Sequence, residues 1–121
     1  EVNQLHAFVE EHCPPGSAIL AYPYFARIYS LEHLHNPIDR PILLPWLYKE
    51  EEFLNCRQRL TQQNVPYIFY RPLSMESLQR DYPNLPIQEF RDAYNREWPR
   101  LASDYQPIWS KGGYQIWQRK H

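Results

Sequence analysis

Glycine is scarce in this sequence, with three residues in 121. Phosphate-cradling loops need clustered glycines, and neither GxGxxG nor GxxxxGK[ST] occurs, so nucleotide-binding folds built on those loops are excluded. Cysteine is sparser still. Cys13 and Cys56 lack CxxC spacing, which excludes a zinc ribbon or a thioredoxin-type redox centre. Each reads as a small buried apolar residue, and spacing alone does not decide whether the two pair. No GxSxG elbow is present. No run approaches the roughly 18 apolar residues of a membrane span, and no secretory leader is recognisable. Charge of one sign is also missing: 13 Lys+Arg against 14 Asp+Glu gives −1. That balance argues against nucleic acid as a partner, because phosphate binding needs a basic face.

Proline and aromatic residues are abundant. Twelve prolines imply rigid connections, and ten tyrosines, five phenylalanines and four tryptophans make up 16% of the chain. Tyr and Trp combine an apolar face with a polar handle. A small core leaning on aromatics for volume accounts for them. So does a surface for a sugar, a lipid headgroup or a protein. The length is that of one domain, residues 1–121, large enough to fold without a metal or disulfide staple.

Hydrophobic spacing lays out the elements. Val2, Leu5, Phe8 and Val9 share one side of a helix over Glu1–Cys13, which Pro14-Pro15-Gly16 ends. Ser17–Ala21 is a short buried strand and Tyr24–Leu31 a short helix. Glu32–Arg40 is a loop with Asn-Pro as its turn signal. Pro41–Pro45 is a second strand. Lys49–Asn64 is a helix with Glu50, Glu51 and Glu52 in its first turn, as the helix dipole favours. Its stripe is Phe53, Cys56 and Leu60, and Asn64 is its left-handed cap. Val65–Tyr70 is a central strand. Ser74 caps one or two helical turns. Leu85–Trp98 is a helix entered through Pro86 and stopped or kinked by Pro99. Tyr105–Ser110 and Tyr114–Arg119 form a hairpin around Lys111-Gly112-Gly113. The expected fold is therefore α/β, a single layered domain. Its mixed sheet has about five strands, with a parallel core and a C-terminal antiparallel hairpin.

Chemistry-bearing patterns are few. Glu32, His33, His35 and Asp39 lie close together, but in an irregular segment where they read as solvated side chains rather than metal ligands. Glu10-Glu11 and Glu50–Glu52 lie on helix surfaces or at a helix start. No cofactor and no metal is expected. The best candidate site follows from the rule that ligands gather at the carboxyl ends of parallel strands. Tyr22, Tyr24 and Arg27 follow the first strand, Trp46 and Tyr48 the second, and Tyr70 and Arg71 the third. Converging on one rim, they would stack on a sugar ring and clamp a phosphate or carboxylate. The competing expectation is that these aromatics simply cover the sheet edge.

The order of PPGSAIL, the tyrosine-rich segment with Arg27, a proline-flanked strand, the helix ending in QQNVPYIFY and the hairpin WSKGGYQIWQR resembles one family over nearly the whole chain. It is similar to the soluble C-terminal extracytoplasmic domain of multi-spanning bacterial glycosyltransferases, the integral-membrane type related to protein mannosyltransferases and lipid A aminoarabinose transferases. The resemblance implies a piece of a longer chain, and a first residue of Glu inside a helical pattern is read the same way. It implies a periplasmic place at the inner membrane, and the membrane-embedded remainder of the parent as partner. Carbohydrate or a polyprenyl-phosphate sugar is the implied ligand. The family's catalytic acid lies in a loop with no counterpart here, so no catalytic residue is carried over. Two other expectations stand beside it. One is a free-standing small α/β enzyme acting on a sugar-like or phosphorylated molecule. The other is an aromatic-rich protein-interaction module, with Trp109 and Trp117 of the hairpin as its first suspects.

Overall fold

A computed structural model describes residues 2–22, 29, 33–38 and 50–120. The elements are α1 (Val2–His12), β1 (Leu20–Tyr22), α2 (Glu50–Gln62), β2 (Tyr67–Tyr70), α3 (Met75–Asp81), α4 (Ile87–Leu101), β3 (Tyr105–Lys111) and β4 (Tyr114–Arg119). They build one mixed sheet in the order β1-β2-β4-β3. β1 runs parallel to β2, and β2–β4 and β4–β3 are antiparallel. The expected α/β class, mixed sheet and closing hairpin are all present. The sheet has four strands rather than five among the described residues, and the Pro41–Pro45 run lies outside them. Among the named strands the parallel core is the β1–β2 pair, because β4 returns to occupy the other side of β2. No helix among the described residues is long and apolar enough to cross a membrane.

Local sequence sets most element ends. Asn64 has a φ of 50°. The Val65 amide donates to the Leu60 carbonyl at 3.0 Å and the Asn64 amide to the Thr61 carbonyl at 3.1 Å. That is a Schellman closure, with Leu60 and Val65 both buried in the same core. The Ser77 amide donates to Ser74 Oγ at 3.2 Å, capping α3. Gly112 and Gly113, at φ 59° and 81°, supply the two positive-φ positions of a tight hairpin turn. Pro99 does not stop α4, which continues to Leu101. The backbone acceptor that Pro99 leaves unused belongs to Asn95, an exposed residue where water can take its place.

β1 begins later than expected. Residues 17–19 pair instead with the segment after His33: the His35 amide donates to the Ser17 carbonyl at 2.8 Å and the Ile19 amide to the His35 carbonyl at 3.2 Å. The strand then runs on through Tyr22, which becomes a sheet residue opposite Tyr70.

Alternation along the strands divides the molecule into layers. Leu20, Tyr22, Ile68, Tyr70 and Tyr105 face one core with Phe53, Cys56 and Leu60 of α2 and Phe90 and Tyr94 of α4. Ile19, Ala21, Phe69, Tyr114 and Ile116 face the other, against Leu5, Val9 and Cys13 around α1. Ile68, Phe69 and Ile116 are fully buried, each contributing about 1.5–3 kcal/mol of burial. The result is an α1 layer, a sheet, and an α2/α4 layer.

Candidate functional site

The carboxyl ends of β1 and β2 bring Tyr22 and Tyr70 side by side, their rings 6.1 Å apart and nearly parallel. Trp98 of α4 lies on both, 3.8 Å from Tyr70 and 5.3 Å from Tyr22 between centroids. Tyr70 and Tyr94 share a hydrogen bond between their hydroxyls, and the Leu73 amide donates to the Tyr94 hydroxyl at 3.4 Å. Tyr22 is 0% exposed, and its hydroxyl has no hydrogen-bond partner among the described residues. Burial, reinforced by Tyr94, Tyr70 and Glu97, pushes its phenol far up. Tyr70 is raised by burial and by its bond to Tyr94. Both therefore stay protonated at neutral pH.

Arg71 follows the same strand, but alternation sends it to the opposite face. Its amide donates to the Tyr22 carbonyl at 3.0 Å, while its guanidinium stands 5.6 Å from the Tyr114 ring centre on the α1 side. The anticipated convergence is thus divided: two tyrosines are sealed in one core and the arginine is exposed on the other side. Tyr24, Arg27, Trp46 and Tyr48 lie outside the described residues.

Beside the stack sits Glu97, 1% exposed. Arg96 Nε donates to its Oε2 at 2.8 Å, and Arg100 Nη1 lies 3.8 Å away. Both arginines also reach Glu50 at the start of α2, at 3.5 and 3.3 Å. This network ties α4 to α2, and the buried carboxylate is held by charge partners rather than presented to a cleft.

An open concavity lies elsewhere among the described residues. A groove of about 570 Å³ lies between α1 and the hairpin. Phe8 and His12, four apart on α1 with rings 4.4 Å apart, form one wall, with Glu11 at its edge. Tyr67, at the start of β2, meets Phe8 edge-on at 5.2 Å. Trp109, Ile108 and Lys111 of β3 form the other wall, and Gln118 of β4 lies in the floor. Burial raises the Tyr67 phenol, Cys13 adds to that, and a hydrogen bond from Gln118 offsets it in part.

A bulge builds this wall. Pro107 pairs with Trp117, but Trp109 pairs with Ile116, the next residue of β4. Ile108 is therefore the extra residue. Tyr105 and Trp109 have the same parity along the strand and would share a face in a regular ladder. With the bulge, Tyr105 enters the α2/α4 core and Trp109 packs on the α1 side. Sequence reasoning singled out Trp109 but missed Phe8 and Tyr67. Strict alternation within VPYIFY, with Tyr67 and Phe69 on one face and Ile68 and Tyr70 on the other, is the signal that places Tyr67.

Cys13 and Cys56 are both free and lie in different cores on opposite faces of the sheet, so they do not pair. Among the described residues no group of three or more His, Cys, Asp or Glu is placed to hold a metal. His33 and His35 are exposed. No protein-family model, curated protein or solved structure matches this chain.

Proposed function

We propose that this chain is a recognition domain: the non-catalytic extracytoplasmic part of an integral-membrane glycosyltransferase using a polyprenyl-phosphate sugar donor, helping to hold acceptor or donor. The single observation that carries the recognition reading is the α1–hairpin groove. It is a preformed concavity walled by aromatic rings with a few polar groups, the usual make-up of a small-molecule site. The link to a glycosyltransferase rests on the order of elements and the sequence stretches that resemble that family. The tyrosines and cysteines displaced by burial are held in their neutral forms, which suits a scaffold better than acid–base work. Reading the coding frame upstream of Glu1 tests the parentage. Several apolar spans of roughly 20 residues each are expected, and a stop codon or an unrelated domain there overturns it.

A second reading, a protein-interaction module, is favoured by Ile108. It is a large apolar side chain, 43% exposed, at the bulge of an edge strand beside Trp109. Because Ile108 also lines the groove, the class of ligand separates the two. An interaction module holds a protein partner that Ile108→Lys releases and binds no small glycan, whereas a recognition domain binds a small ligand without any partner.

A further inference from the structure

We infer that the α1–hairpin groove is a glycan subsite that seats the ring of a neutral pyranose against Trp109 and Tyr67, with Glu11, Lys111 and Gln118 positioned for its hydroxyls. This deepens the recognition reading above and rests on it for the role of the site.

The chemistry of the walls selects the ligand. A pyranose has a face of C–H groups and a rim of hydroxyls. Its complement is a surface with aromatic faces and scattered donors and acceptors. Trp and Tyr supply both an apolar ring and a polar tip. Trp109 is half-buried, one side packed on the α1-side core and the remainder facing the groove. Around the rings stand an acceptor in Glu11, a donor in Lys111 and an amide in Gln118. A lipid tail has no use for those three groups. A phosphate or a carboxylate would gain from Lys111 but be repelled by Glu11, which lies 3.9 Å from His12 Nε2 on the same wall. With His12 counted as neutral, the formal charges of the lining balance and favour a ligand without net charge.

The site is also stiff. Phe8 is wedged edge-on between Tyr67 at 5.2 Å and Phe69 at 6.0 Å. Tyr67 and Gln118 are paired across β2 and β4, and the bulge at Ile108 sets the direction of Trp109. A ring entering the groove meets walls already in place, which lowers the ordering cost of binding. The volume of about 570 Å³ sits within the roughly 300–1,000 Å³ of ligand sites.

The test is a binding screen of the chain against an array of defined neutral glycans, followed by titration of the best one with isothermal calorimetry as readout. A second arm offers sugar-free undecaprenyl phosphate in detergent micelles. Saturable binding of at least one glycan is expected. It should be roughly tenfold weaker in Trp109→Ala, the scale of losing one well-placed aromatic contact. Tyr82→Ala, an exposed residue away from the groove, leaves it unchanged. Should Trp109→Ala fail to fold, the exposed pair Glu11→Gln with Lys111→Gln gives the same answer. No glycan bound, binding indifferent to these groove substitutions, or equal retention of the sugar-free lipid each overturns the inference. The two proposals fail separately. Apolar spans upstream without glycan binding remove only the subsite. Groove-dependent glycan binding without such spans removes only the glycosyltransferase parent.

Discussion

On the α2/α4 face Tyr22, Tyr70 and Trp98 lie nearly parallel, the two tyrosines buried and Trp98 half-buried. On the α1 face Phe8 meets Tyr67 and Phe69 edge-on, and Phe8, Tyr67 and Trp109 border an open groove. Both sets draw on β2, where Tyr67 and Tyr70 are three residues apart. What differs is the cover. Two long helices close one face, whereas among the described residues α1, with Tyr29 and Leu34 beside it, packs on the other, and the groove opens at its hairpin side. An abundance of aromatics therefore answers two needs here, volume in one layer and a wet concavity in the other.

The comparison breaks most visibly at Trp98. Truncating it to Ala removes the partner of two stacked rings and the edge contact to Trp117 at 5.2 Å. Stability should fall by about 3 kcal/mol, read from urea unfolding. Trp109→Ala, on the groove side, should cost about 1 kcal/mol while damaging binding. Equal losses at the two tryptophans would erase the distinction between the faces.

Alkaline pH sharpens it next. Burial pushes Cys13 up to about 11 and Cys56, in the better-sealed core, to about 12, from an ordinary 9.0. In the folded protein these thiols hold their protons where the unfolded chain releases them. Their contribution is therefore fully present below pH 9.0 and declines as pH rises towards 11 and 12. The slope is about 1.4 kcal/mol per pH unit for each group. The buried tyrosines act in the same direction at higher pH. Urea midpoints measured across this window should fall steadily, and a flat profile would show that water reaches both thiols.

Glu97→Gln is a smaller perturbation. The carboxylate is buried, but its partners Arg96 and Arg100 are 37% and 45% exposed and keep Glu50. The cations left behind stay hydrated, so the loss should be about 1–2 kcal/mol rather than the 3–5 kcal/mol of a pair buried on both sides. A loss at the upper figure would mean that α2 and α4 hold the network out of water.

Elements governed by neighbours in sequence were legible from the residues alone. The Phe53–Cys56–Leu60 stripe, the Asn64 cap, Ser74 and the Gly112-Gly113 turn each depend on contacts within a few positions. The site was less legible because its geometry is set across the sheet. Placing Tyr22 on an open rim assumed that β1 ends before it. Pairing of residues 17–19 with the His35 segment slides the strand forward, and Trp98 from α4 then seals the ring. Trp109 reaches the groove only because Ile108 is bulged, a register choice made against Trp117 and Ile116. Periodicity cannot report it, since Tyr105, Pro107 and Trp109 keep regular spacing in the sequence.

The smallest effect is the most diagnostic of how tightly the α2/α4 face is closed. Tyr22 and Tyr94 are both buried tyrosines of one stack, but the Tyr94 hydroxyl holds Tyr70 and the Leu73 amide, whereas that of Tyr22 has no partner among the described residues. A buried hydroxyl without a partner lowers stability relative to a ring of the same shape without it. Tyr22→Phe should therefore be neutral or stabilising by up to about 1 kcal/mol. Tyr94→Phe leaves two groups unpaired and should cost about 1–2 kcal/mol. Paired urea curves decide the point. If Tyr22→Phe loses as much as Tyr94→Phe, the Tyr22 hydroxyl is satisfied in solution, which requires water or another polar group to enter the stack from the carboxyl end of β1. The two faces would then differ in degree of closure rather than in kind.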